Sequence, residues 1–316
     1  MIKNISVIGA GTMGHSIAEN FAIYGYPVAL FDTNEAYLAT LKDVMRKELK
    51  VLEEEDLLNG DTIDAVLDRI TLYSDLEACA KEADYVIEAI PERVDLKQEL
   101  FAKLDDYCKP EAIFASNTSS LTLGDMMATV SEERRERMII NHWYNPALIM
   151  PIAELSFFGN MPEEIYKEVA ALYESIGKQV VKVLKEVPGL VANRIQQGVA
   201  REVFSLIEMG VASPEDIDKA LIFGPGFRYA TTGQLEIADF GGLDIWCTVG
   251  DNLLKEMDNS KGANPILKDK VAKNELGFKS GKGFFEYDAA TADEVKATYN
   301  KRLIHQLKAS QFYIKK

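Results

Sequence analysis

Gly9-Ala10-Gly11-Thr12-Met13-Gly14 is a GxGxxG run, and its surroundings leave the chain little choice of fold. A short apolar strand candidate, Ile5 to Ile8, leads into it. A helical segment from His15 to Tyr24, closed by Gly25, leaves it. Strand, glycine turn and helix in that order form the start of a phosphate-cradling βαβ unit. Gly9 permits the tight turn, Gly11 lets backbone approach a pyrophosphate, and Gly14 lets the helix pack close to the sheet. Gly9, Gly11, Thr12, Met13 and Gly14 are therefore read as cofactor-binding, with phosphates facing unpaired N–H groups and the positive end of a helix dipole.

Asp32 closes the next strand candidate, Val28 to Phe31, 18 positions beyond Gly14. A carboxylate there accepts hydrogen bonds from ribose hydroxyls and repels a 2′-phosphate. Thr33 and Asn34 supply no arginine to hold one, so the cofactor expected is NAD rather than NADP.

The pattern after the loop alternates. A long amphipathic stretch runs from Asn34 to about Leu58. Strand candidates follow at Ile70–Tyr73, Tyr85–Glu88, Ile113–Ser116, Met138–His142, Ile152–Ser156 and Gln179–Leu184, with helical segments between. This predicts an α/β domain with a Rossmann-type, doubly wound, mostly parallel sheet. After Pro188-Gly189 strand signals fade, and helices are expected over Val191–Met209, Pro214–Leu221, Leu235–Met257 and Ala292–Leu307. The reading is a dinucleotide-binding domain over 1–186 and an all-helical substrate and dimerisation domain over 187–316.

With 316 residues and a net charge of −15, the chain is long enough for two cores, and its field repels nucleic acid and anionic membranes. No apolar stretch reaches membrane-spanning length and no signal-peptide pattern opens the chain, so a cytoplasmic protein is expected. Cys79, Cys108 and Cys247 form no CxxC pair and keep no metal-ligand spacing with histidine. They are read as buried thiols, and no metal is expected.

Three histidines occur. His15 and His305 lack sequence-linked partners and are read as surface residues. His142 ends a strand candidate at the edge where open α/β sheets bind ligands. Glu154 lies in the next apolar strand, and Asn145-Pro146 marks a turn between them. A strand–turn–strand path brings the two side chains together. Oxidation of an alcohol sends a hydride to nicotinamide and a proton to a base. A neutral imidazole suits that base, and a buried carboxylate on its other nitrogen fixes the tautomer.

Beyond these local readings, the chain resembles the 3-hydroxyacyl-CoA dehydrogenase family along essentially its full length. The motifs that carry the resemblance are GAGTMG at Gly9–Gly14, EAIPE at Glu88–Glu92, SNTSSL at Ser116–Leu121, HWYNP at His142–Pro146, PGLVANR at Pro188–Arg194 and KSGKGFFEY at Lys279–Tyr287. The resemblance implies that His142 is the base and Glu154 its orienter. It implies that Ser119 and Asn193 contact the substrate oxygen, and that Asn145, Asn117, Glu92 and Lys97 lie on the cofactor. It also implies a homodimer with a small-molecule substrate.

Two positions depart from the family's acyl-CoA members. Pro151 stands where they usually carry lysine, and Arg228-Tyr229 where they tend to have proline and methionine. Arg228 resembles the arginine of relatives acting on small free acids, where it could pair with a carboxylate. Lys42, Arg46 and Lys50 recur every four residues and could bind the phosphates of a CoA nucleotide or line a solvated face. The first expectation for the substrate is a short (S)-3-hydroxyacyl-CoA, oxidised reversibly to the 3-oxoacyl-CoA. The second is a free 3-hydroxy acid of gulonate, carnitine or 3-hydroxybutyrate type. A third alternative is a non-catalytic, crystallin-like NAD(H)-binding protein, although the glycine loop and the His142–Glu154 pair are intact. A lysine-based dehydrogenase of the 6-phosphogluconate or hydroxyisobutyrate type fits less well, since Asn193-Arg194 holds the position of its base.

Overall fold

The computed structural model describes residues 2–313. The chain forms two compact units, Met1–Val191 and Ala192–Lys316. In the first, eight strands form one sheet: β1 (Ile5–Ile8), β2 (Val28–Phe31), β3 (Ile70–Tyr73), β4 (Tyr85–Glu88), β5 (Ile113–Ser116), β6 (Met138–Trp143), β7 (Ile152–Ser156) and β8 (Gln179–Val183). Their spatial order is β3-β2-β1-β4-β5-β6-β7-β8. This is a Rossmann-type arrangement whose order reverses between β1 and β4, which sets a crevice at the carboxyl ends of the strands.

Linker length explains the one change of direction. Eight residues separate β6 from β7, too few for a helical crossover, and this pair is antiparallel. The helix Glu163–Ser175 separates β7 from β8, and that pair is parallel again. Strands β1, β4, β5 and β6 are buried along their whole length, as expected of a sheet covered on both faces.

Helix α1 (Thr12–Ile23) follows the glycine loop, and α2 (Glu35–Glu53) follows β2. Helix α2 buries Leu38, Leu41, Met45, Leu49 and Leu52, a stripe of three- and four-residue steps. The Asn34 side chain caps it by accepting from the Tyr37 N–H. It ends before the expected Leu58, because Asp56 and Asn59 take left-handed backbone angles (φ 57° and 53°) that a helix cannot continue through.

The units divide at Val191/Ala192, five residues beyond the boundary read from sequence at 186/187. Leu190 stays with the first unit because it is buried in a cluster with Ile140 and Val183. The second unit contains the helices Ala192–Glu208, Pro214–Phe223, Pro225–Tyr229, Gln234–Gly241, Leu243–Leu253, Pro265–Ala272 and Ala292–Ser310. The long helix expected over Leu235–Met257 is broken at Gly242, whose φ of 89° reverses the chain. Helix Pro265–Ala272 was not foreseen. Cys79 and Cys108 are buried, but Cys247, expected to be buried too, is exposed. Among the described residues, no helix is long and apolar enough to cross a membrane.

Candidate active site

Because β1, β2, β4, β5 and β6 run parallel, their carboxyl ends collect Gly9, Asp32, Glu88, Ser116 and His142 along one edge. The glycine loop is built without slack. A Cβ on Gly9, at φ +100°, would stand 2.7 Å from the Ala89 carbonyl oxygen, and one on Gly14 would stand 1.7 Å from the Gly9 carbonyl oxygen. Gly14 thus interlocks with the loop itself rather than chiefly with the sheet. A Cβ on Gly11 would meet nothing within 4 Å. The amino terminus of α1 has neither a side-chain cap nor an acidic residue in its first turn, which leaves its N–H groups to an anion. Asp32 accepts from the Ala10 N–H through Oδ2 (2.9 Å) and from the Asn34 N–H through Oδ1 (2.9 Å), so one carboxylate braces both loops that frame this edge.

Glu92 ties EAIPE to SNTSSL. Its Oε1 accepts from Thr118 Oγ1, the Ser119 N–H, and the N–H and hydroxyl of Ser120. Burial pushes its carboxyl up, but Lys97, Thr118 and Ser120 outweigh that and bring it to about 2. Lys97, expected on the cofactor, is 1% exposed, with Nζ 2.9 Å from Glu88 and 2.7 Å from Glu92. Its charge is spent on two carboxylates, so it acts on the crevice by holding Glu92. Ser119 is exposed, and Asn117 accepts from the Trp143 N–H at 2.8 Å.

His142 and Glu154 lie opposite each other across the β6–β7 pair. Their separation is 2.8 Å from Nδ1 to Oε2. Glu154 is fully buried, and its Oε1 accepts from the Val191 N–H at 2.9 Å. Since a carboxylate only accepts, Nδ1 carries the hydrogen and Nε2 keeps a lone pair. Tyr144 meets the imidazole edge-on with centroids 4.9 Å apart, and its buried hydroxyl has no hydrogen-bond partner among the described residues. Asn145 is exposed and joined to Pro146 by a cis peptide.

Two contributors escaped the sequence reading. Lys178 is buried, its Nζ donating to the carbonyls of Ala147 (2.7 Å) and Met150 (2.9 Å) and standing 4.5 Å from the centre of the Trp143 ring. Burial lowers its ammonium to about 7. Tyr173 receives hydrogen bonds from Asn141 and from Trp143 Nε1, bracing β6 from the helix Glu163–Ser175. A lone lysine and a lone tyrosine carry no spacing signal that separates these roles from surface ones. His15, read as a surface residue, is 5% exposed, and its Nδ1 donates to the Gly11 carbonyl at 2.8 Å. Its position on the inner side of the loop buries it.

In the second unit, Asn193 lies one residue inside the helix Ala192–Glu208. Arg228 lies exposed in the helix Pro225–Tyr229, with no carboxylate partner among the described residues.

The family profile for the 3-hydroxyacyl-CoA dehydrogenase NAD binding domain matches residues 4–187, and that for the C-terminal domain matches residues 189–287. The chain belongs to the 3-hydroxyacyl-CoA dehydrogenase family. It is an NAD-dependent oxidoreductase acting on CH–OH groups. A probable 3-hydroxybutyryl-CoA dehydrogenase of Bacillus subtilis is 37% identical over 92% of this chain and 99% of its own length. The 5-formyl-3-hydroxy-2-methylpyridine 4-carboxylate 5-dehydrogenase of Mesorhizobium japonicum is 31% identical over 96% of this chain and 97% of its own. A crystal structure of a dehydrogenase of that second kind, described as an NAD+ dependent dismutase, superposes with a TM-score of 0.87 at 30% identity, covering 96% of this chain and 97% of that one.

Proposed function

We propose that this family member oxidises the hydroxyl of a small free 3-hydroxy acid, with His142 as proton acceptor and Arg228 as the partner of the substrate carboxylate. One observation carries the choice of substrate class. The basic stripe that could hold CoA phosphates is already engaged: Lys42 donates to the Leu67 carbonyl, Arg46 pairs with Asp64 at 2.7 Å, and Lys50 pairs with Glu53 at 3.0 Å. Arg228, by contrast, has no carboxylate partner among the described residues. The relative from Mesorhizobium, whose name gives a carboxylate rather than a CoA thioester, supports the same reading. The CoA reading keeps one specific support, the 37% identity to a probable 3-hydroxybutyryl-CoA dehydrogenase.

The His142–Glu154 pair supports the choice of base, and the family resemblance supports the other roles. A dinucleotide held at the glycine loop would supply the acceptor for the hydride of the carbinol carbon. Nε2 of His142 takes the hydroxyl proton, and buried Glu154 stabilises the imidazolium that results. Ser119 and Asn193 are assigned to the substrate oxygen as it gains carbonyl character. The glycine loop, Thr12, Met13 and Asp32 are assigned to the dinucleotide, and Glu92, Asn117 and Asn145 to the nicotinamide side.

The second unit leaves large apolar side chains exposed, including Leu235 and Phe240 at 84% each. We read this as the face on which two copies meet, a homodimer checked by light scattering after size exclusion. The buried thiols of Cys79 and Cys108 suit a reducing compartment such as the cytoplasm.

The substrate test follows NADH formation with 3-hydroxybutyrate, gulonate, carnitine and 3-hydroxybutyryl-CoA, in the wild type and in Arg228→Ala. A free acid is expected to turn over with a KM that rises at least about tenfold in the variant, the loss of one charged pair. Turnover of the CoA thioester alone, unaffected by the substitution, would reverse the assignment.

A further inference from the structure

His15 and Glu19 are one helical turn apart on α1, and so share a face, while Glu48 faces them from α2. One ligand atom from each lies within 4.8 Å of the other two. Glu19 is fully buried, and neither of its carboxylate oxygens has a hydrogen-bond partner among the described residues. A carboxylate in that position is costly unless a proton or a cation answers it. His15 narrows the choice. Its Nδ1 faces the carbonyls of Gly11 (2.8 Å) and Ala10 (3.2 Å), which only accept, so Nδ1 holds the hydrogen. Nε2 then looks at Glu48 Oε2 from 3.2 Å, an arrangement that repels unless something electropositive is shared there. A proton on Nε2 satisfies Glu48 but leaves Glu19 unanswered. A single divalent cation answers all three groups.

We propose that His15, Glu19 and Glu48 form a binding site for one divalent transition-type cation, of the zinc or manganese class, on the inner side of the glycine loop. One imidazole nitrogen with two carboxylates is a borderline donor set that suits these ions better than magnesium or calcium, which prefer oxygen alone. The 3.2 Å between Nε2 and Oε2 matches the edge of about 3.3 Å implied by zinc–ligand bonds of about 2.0–2.1 Å. The Nδ1–H bond to the Gly11 carbonyl is the orienting contact that metal-bound histidines usually make. Glu48 is 30% exposed and supplies the way in.

The full chain, stripped with EDTA, is titrated with ZnCl2 by calorimetry. One equivalent per chain is expected to bind, with affinity falling at least about tenfold in Glu19→Gln, which keeps the side chain's shape and removes its charge. Glu48→Gln, at a partly buried position, repeats the test should the first variant misfold. Cobalt in place of zinc is expected to give visible bands without thiolate charge transfer, distinguishing this site from the exposed Cys247. Zinc that binds folded Glu19→Gln and Glu48→Gln as tightly as wild type overturns the proposal. So does a wild type that takes up no zinc or manganese while Glu19→Gln raises the melting temperature, the signature of a buried neutral acid.

Discussion

His142 and Glu154 are direct cross-strand partners at the antiparallel step of the sheet, with Nδ1 2.8 Å from Oε2. The carboxylate is fully buried and its second oxygen is occupied by the Val191 N–H, so it has no freedom to turn away. Glu154→Gln retains the shape and loses the charge that stabilises an imidazolium. It is expected to lower kcat by roughly 10²–10⁴ while the protein stays folded. A variant with wild-type kcat would remove Glu154 from the proton-transfer machinery.

His142→Ala is expected to reduce turnover by at least about a hundredfold and leave NADH affinity nearly unchanged. Binding followed by the fluorescence of NADH, beside steady-state rates, separates the two effects. A large loss of cofactor affinity would mean that the imidazole builds the nucleotide site instead.

Asp32 presents its carboxylate between the Ala10 and Asn34 N–H groups, within reach of whatever lies along the edge of β2. Asp32→Ala is expected to weaken NAD by roughly tenfold or more and to narrow the preference over NADP. An unchanged NAD-to-NADP ratio of kcat/KM would argue that the ribose is read elsewhere.

Lys178 makes stability depend on pH. Burial lowers its folded-state ammonium from 10.5 to about 7. Between those values the folded chain holds fewer protons than the unfolded one, so stability gains with rising pH across that window. Below about 7 both states are charged and the full burial penalty is present. In urea unfolding at pH 7 and pH 9, the wild type is expected to gain on Lys178→Met as the pH increases. Parallel behaviour of the two proteins would show that the ammonium is not forced to give up its charge.

Much of the fold is legible in the sequence. GAGTMG carries its own geometric requirement, and the apolar runs of β1, β4 and β5 are too short and too β-branched to be helices. The pairing of His142 with Glu154 was legible because an eight-residue turn permits few other outcomes. What failed to show was long-range chemistry between residues with no spacing rule. Lys97 looks like a cofactor ligand in sequence, and only the fold reveals that Glu88 and Glu92 enclose it. His15 looked like a surface residue because its third-element neighbour, Glu48, is 33 positions away. The helix Leu235–Met257 read as continuous because a single glycine in an apolar run does not announce that its φ will be positive.

Gly14 has no room for even a methyl group against the Gly9 carbonyl. Anyone wishing to retarget this enzyme to another dinucleotide therefore inherits a lock whose barrel cannot be recut. The adjustable position beside it is Thr33, exposed and with no structural task, whereas its neighbours are committed, Asp32 to the two loops and Asn34 to the cap of α2.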